Sequence, residues 1–213
     1  MQAQRFVVFI YGINIPGARI YTKATIVSKL GDIDSSFKVL AIGPRPDSII
    51  IEARTPSVSE VVRQWVERHL PHPVVVRTFE EAQQVYLEAC FMAERRYGHN
   101  FDRLSARVCL NGVAWELGAV FVGSKIDQSA EVSSSTNVIV VGSLGNDTAI
   151  VLKRPKTLSG SRIMWGNMTN APVKKAWERA LGRPVLCTSR SMTIVGKLIE
   201  LGNVPYKSSL YRS

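Results

Sequence analysis

The chain has 213 residues, 46% of them hydrophobic and 21% charged, with a formal net charge of +10. That length buries one large core or two small ones, and the composition excludes disordered and fibrous classes. No apolar run approaches the roughly 18 residues of a membrane-spanning helix, so no membrane partner is expected.

In chain order, Met1 to Arg5 leads straight into Phe6-Val7-Val8-Phe9-Ile10. This run is too short for a secretory h-region and lacks a small-residue cleavage site, so no leader is expected. Phe6 to Tyr11 reads as a strand, ended by Gly12 and Pro16. Ile20, Ala24, Val27 and Leu30 follow helical spacing up to Gly31. Phe37–Ile42 and Ser48–Ala53 are strands joined by Gly43-Pro44-Arg45-Pro46-Asp47. Thr55-Pro56, or Ser57 with Glu60, opens a helix with the stripe Val58, Val61, Val62, Trp65 and Val66. Pro71 and Pro73 close it, and Val74-Val75-Val76 is a fourth strand.

Residues 1–78 therefore predict a ferredoxin-like βαββαβ domain, with a four-stranded antiparallel sheet and both helices on one face. The other face must meet water, a ligand or another layer. Phe9 and Tyr11 alternate on the first strand as in RNA-recognition modules, but the third strand has no aromatic residue. Packing of Phe9 and Tyr11 against the second half of the chain is the favoured reading.

Residues 79–213 predict a second α+β domain with a basic C-terminal part. Thr78 with Glu81 forms a capping box for a helix through Ala82, Val85, Tyr86, Ala89 and Ala93 to about Arg96. Strands follow at Arg107–Asn111, Ala119–Val122, Asn137–Val141 and Thr148–Leu152, the last two joined by a Gly145-Asn146-Asp147 turn. Asp127 to Thr136 reads as an exposed polar loop. Asn170-Ala171-Pro172 starts a helix through Val173, Ala176, Trp177 and Ala180 that Gly182 ends. Val185 to Cys187 is a short strand. Ser189 caps a final helix with Met192, Val195, Leu198 and Ile199 inward and Gly202 as terminator.

Four segments resemble a large bacterial family of unknown function. Y-G-I-N-I-P-G (Tyr11 to Gly17) is similar to its opening R-G-I-N-V-G-G motif, and V-V-V-R-T-F-E-E-A (Val74 to Ala82) to the segment ending its first half. L-S-G-S-R-I (Leu158 to Ile163) resembles its G-R-S-K-L. A-L-G-R-P-V-L-C-T-S-R-S-M-T-I-V-G-K-L (Ala180 to Leu198) resembles its L-G-V-x-A-T-T-R-N-W-N-T-V-x-K-L. Gly12, Ile13, Asn14, Arg77, Arg190, Val195, Lys197 and Leu198 are retained. Tyr11 replaces the family's arginine, Pro44 to Ser48 replace its Q-S-G-N-V, and Ser191 to Ile194 replace its Asn-Trp-Asn-Thr. The resemblance implies a two-part α+β fold with a ferredoxin-like first half and a related second half. It implies no activity.

The residues offer little catalytic chemistry. Cys90, Cys109 and Cys187 are an odd, widely spaced set that reads as buried free thiols in a reducing cytoplasm. His69, His72 and His99 have no ligand cluster beside them, so no metal is expected. Nucleophile-elbow, P-loop and dinucleotide-binding patterns are absent, and no cofactor is expected. Cys187 beside Arg190 could be drawn as a nucleophile with a lowered pKa, but a cysteine ending an apolar strand is more often core.

Charge is the informative signal. Residues 1–150 hold 15 bases and 15 acids, whereas residues 151–213 hold 12 bases and two acids, Glu178 and Glu200. Lys153, Arg154 and Lys156 precede the turn Ser159-Gly160-Ser161-Arg162, where free backbone N–H groups beside cations suit a phosphate. Lys174, Lys175, Arg179, Arg183, Arg190, Lys197, Lys207 and Arg212 continue the excess. Trp165, Tyr206 and Tyr211 are interleaved as stacking surfaces. Solubility alone would be served by cations spread over the whole chain. The pattern therefore points to a non-enzymatic nucleic-acid-binding protein, with single-stranded RNA favoured over DNA. The alternatives are a module docking on an acidic protein or on itself, and a binder or enzyme of a phosphorylated small molecule at Ser159–Arg162 and Arg190.

Overall fold

A computed structural model describes residues 3–13, 21–30, 36–54, 56–123, 134–154 and 171–203. Its elements in chain order begin with β1 (Gln4–Ile10), α1 (Lys23–Leu30), β2 (Phe37–Ile42), β3 (Ser48–Ala53), α2 (Ser59–His69), β4 (Val74–Thr78) and α3 (Phe79–Tyr97). They continue with β5 (Phe101–Asp102), β6 (Arg107–Leu110), β7 (Val113–Val122), β8 (Val138–Leu144), β9 (Thr148–Lys153), α4 (Ala171–Leu181), β10 (Cys187–Ser191) and α5 (Met192–Asn203). The fold is mixed α+β, with two antiparallel sheets and five α-helices among the described residues. Two compact units divide the chain inside α3, after Ala82, and inside α5, after Val195. The part of α5 from Gly196 belongs with the first unit.

In the first unit the sheet order is β2-β3-β1-β4, antiparallel throughout. Phe6, Val8, Ile10, Ile49, Ile51, Val74 and Val76 share one buried cluster with Ile26 and Leu30 of α1 and with Val62, Trp65 and Val66 of α2. The helical stripes are narrower than expected. Val27, Val58 and Val61 are exposed. Ser57 does not cap α2: Val58 holds the N-cap position without a side-chain bond, and the Ser57 amide donates to Gln4 Oε1, while Thr55 lies outside the described residues.

The opposite face of this sheet is buried as well. Val7, Phe9, Ile50 and Val75 are all fully buried, which removes Phe9 as a stacking platform. The returning end of α5 covers it. Leu198 reaches Gly43, the Arg5 guanidinium donates to the Gly202 carbonyl, and a Cβ at Gly202 would overlap the Phe79 ring and stand 3.2 Å from Ile50 Cδ1. Gly202 thus lies inside α5 as a close-approach residue; it does not terminate the helix.

The second unit carries the sheet β5-β6-β7-β9-β8, with β10 also paired to β7. Val120, Val122, Val138, Ala149 and Val151 pack against Val173 and Trp177 of α4, with Val185 and Cys187. The strand expected to run through Asn111 ends at Leu110, and the one expected from Ala119 begins earlier. Asn111 and Gly112 form the turn between them, both at positive φ, and β7 starts at Val113. This is the Asn-Gly hairpin geometry that matches strand twist. The last strand is Cys187–Ser191, and Ser191, not Ser189, caps α5 by accepting from the Ile194 amide. Gly182 ends α4 at φ +62° as expected, and the Thr78–Glu81 box closes in both directions at 2.8 and 3.1 Å.

The two units repeat one plan. The path β8-β9-β7-β10 reproduces β2-β3-β1-β4, and both hairpins carry a bulge at the same place, Val39/Ala41 and Val140/Gly142. The buried hydroxyls of Ser48 and Thr148 each donate to the preceding Asp at 3.1 Å. The Ile10 and Val122 amides donate to the carbonyls of those same aspartates, Asp47 and Asp147. Glu67 and Glu178 each accept the amide that opens the segment seven residues on, Val74 and Val185. Arg77 and Arg190 are both buried, and each donates to the carbonyl of the residue before it.

Candidate nucleic-acid interface

Eight of the cations singled out by sequence fall on described residues, and the structure sorts them. Lys153 ends β9 and is 3% exposed, its stem lying over Gly118, where a Cβ would stand 3.2 Å from Cε. Arg190 is 7% exposed and donates to Thr188 Oγ1 at 2.6 Å and Ser189 O at 2.8 Å. These two are interior groups, which corrects the surface placement that the basic-segment reading requires. Position in the sheet explains Lys153: β9 is buried at all six of its positions, and its last residue is enclosed with the rest.

Lys174 pairs with Glu178 at 3.5 Å, and Lys197 with Glu200 at 2.7 Å. Such exposed pairs contribute about 0–1 kcal/mol, so they reduce the local field more than they immobilise the lysines. Arg154, Lys175, Arg179 and Arg183 are exposed, and no ion pair holds them among the described residues.

Two of those four lie on α4, and a third follows it closely. Lys175 and Arg179 are one turn apart on α4, about 6 Å along its axis, and Arg183 follows directly after the Gly182 turn. Val173 and Trp177 anchor the inner side of α4, so its cations face outward by helical period. Glu178 is the acid on this helix, and its carboxylate is engaged by the Val185 amide at 3.3 Å and by Lys174. Arg154 stands at the end of β9, where its amide donates to Asn137 O.

Lys156, Arg162, Lys207, Arg212, the Ser159–Ser161 turn, and the aromatics Trp165, Tyr206 and Tyr211 lie outside the described residues.

No described group of three His, Cys, Asp or Glu side chains is placed to hold a metal. His69 Nδ1 sits 2.8 Å from Trp65 O, and His72 packs edge-on against Tyr21. Burial pushes the Cys187 thiol up to about 12, which leaves it protonated and inert at neutral pH. Cys90 is buried as expected, but Cys109 is exposed on β6. No described helix is long and apolar enough to cross a membrane.

The family resemblance implies a related second half, but the element-by-element reading of the sequence did not find the duplication, although the signal was present. V-R-Q-W-V-E-R-H-L-P-H-P-V (Val62 to Val74) and V-K-K-A-W-E-R-A-L-G-R-P-V (Val173 to Val185) match at Val, Glu-Arg, Leu and Pro-Val. That alignment sets Lys175, Arg179 and Arg183 opposite Gln64, Arg68 and His72.

Comparison with known proteins adds a fold. No family model and no curated protein matches the chain. Among solved structures, the conserved bacterial protein SP0830 from Streptococcus pneumoniae is similar, with a TM-score of 0.51 and 14% identity. The likeness covers 94% of this chain and 99% of that one, so it extends over both units.

Proposed function

We propose that the chain binds nucleic acid without catalysing a reaction, through Lys175, Arg179 and Arg183 on and after α4, with Arg154 as a further contact. The observation that carries this reading is the outward row of cations with one, already engaged, acid among them. A polyphosphate strand neutralises such a row and releases its counterions, which supplies the affinity. Single-stranded RNA is favoured over duplex DNA because no groove-reading motif is apparent and the sequence interleaves Trp165, Tyr206 and Tyr211 with the cations.

Fluorescence anisotropy with labelled single-stranded RNA and duplex DNA over a salt series tests the reading. Four phosphate contacts on a single strand give a log–log slope of about −2.8. Binding with no salt response rejects it. Retention of a protein partner after nuclease treatment would favour docking on an acidic protein instead.

The first sheet is read as ferredoxin-like, supported by its strand order, its antiparallel pairing and the two helices on one face. Membership of the bacterial family of unknown function is proposed on the retained Gly12-Ile13-Asn14, Arg77, Arg190 and Val195-x-Lys197-Leu198. Free cysteines favour the cytoplasm.

A further inference from the structure

β8 is an outer strand of the second sheet, and among the described residues its one strand neighbour is β9. An outer strand presents backbone N–H and C=O groups that template pairing with another chain. In β8 those groups fall on an apolar run, Val138-Ile139-Val140-Val141, of which the last three are half-buried. Such a strand is suited to antiparallel pairing with its own copy.

The edge is occupied from within the unit. Ser135 exchanges two backbone hydrogen bonds with Val138, at 2.7 and 3.2 Å. The Val140 amide donates to Ser134 Oγ at 3.0 Å. Arg96, near the end of α3, donates through one nitrogen to Val140 O at 3.1 Å and Val141 O at 3.4 Å. Those two carbonyls sit at the bulge, where Val140 pairs with Val151 and Gly142 with Ile150, leaving Val141 extra. Five backbone groups between Val138 and Val141 are therefore covered by two side chains and one turn. The corresponding edge strand of the first unit, β2, has the same bulge.

We propose that the Arg96 guanidinium and the Ser134 hydroxyl guard β8 against self-pairing at Val140 and Val141, and that the edge they release joins a second copy of this chain strand to strand. A bulge alone twists the edge away from a partner; here a cation and a hydroxyl complete the block.

The test is the weight-average mass by light scattering, over a concentration series, of wild type, Arg96→Ala and the Arg96→Ala/Ser134→Ala pair. Both variants are expected to rise above wild type with concentration, the pair toward a further doubling of mass. Adding Val140→Pro to the pair is expected to return the mass to that of wild type. The Val140 amide points outward, so proline there removes no bond to β9 yet blocks an incoming strand. Folded variants whose mass tracks wild type at every concentration would overturn the proposal, as would association that persists once Val140→Pro is added. Arg96 is exposed on a helix, so Arg96→Ala alone decides the matter where the double variant loses its fold.

Discussion

α2 and α4 hold equivalent places in the two units and differ in what they do with charge. In α2, Glu60 and Glu67 both bind Arg63, at 2.6 and 3.0 Å, and with Arg68 the acids and bases among these residues balance. In α4 the counterpart of Arg63 is Lys174, paired to Glu178, while Lys175 and Arg179 have no acid to balance them. The inward side of each helix is alike: Val62 and Val66 in one, Val173 and Trp177 in the other. Packing and the helix-to-strand hydrogen bond fix the repeated fold. The outward positions are released from that constraint, and the difference in charge between the two helices lies there.

The largest effect expected on stability probes where the repeat is completed by α5. Gly202→Ala would ordinarily stabilise a helix by about 1 kcal/mol through propensity. Overlap with the Phe79 ring reverses the sign, and a net loss of about 1–3 kcal/mol is expected in denaturant unfolding. Phe79→Leu in the same chain should recover part of it. An unchanged or raised midpoint for Gly202→Ala would show that the face of the first sheet is more loosely covered than described.

Next come the two caps, which occupy matching positions at the ends of β4 and β10. The Thr78 hydroxyl accepts the Glu81 amide at 3.1 Å, so Thr78→Ala should cost about 1 kcal/mol. Ser191 accepts one bond, at 3.4 Å, and Ser191→Ala should cost about half as much. Equal losses would mean that the two helix starts are built alike.

The smallest effect is in acid. Hydrogen bonds from Arg63 and then Gln64 hold the Glu60 carboxyl down from 4.5 to about 2. A lowered folded pKa means that the folded state binds fewer protons. Its contribution is therefore complete above about pH 4.5 and lost as pH falls toward 2. At so exposed a site this is about 0.5 kcal/mol. Arg63→Gln should flatten that acid limb, and an unaltered limb would assign it to other carboxylates.

Much of the fold was legible because it depends on local signals. The Thr78-x-x-Glu81 box, the Gly145-Asn146-Asp147 turn and Gly182 each name a backbone geometry that only a few residues satisfy. The misreadings arose where tertiary packing overrides such signals. Gly202 looks like a terminator but is small because Phe79 lies against it, and Ser57 with Glu60 spells a capping box while Arg63 takes the carboxylate. Charge counting did not separate Lys153 and Arg190 from the exposed cations of α4, because burial follows a residue's place among its sheet neighbours, which the sign of a side chain does not reveal.

The direct test of the account is the salt dependence of single-stranded RNA binding by paired variants. Lys175→Glu/Arg179→Glu/Arg183→Glu removes the exposed row, and Gln64→Glu/Arg68→Glu changes the matching positions of α2. The first set should reduce the log–log slope from about −2.8 to about −0.7 and weaken binding at every sequence, while the second leaves the slope as in wild type. Equal loss from both sets, or full retention by the α4 set, would contradict it.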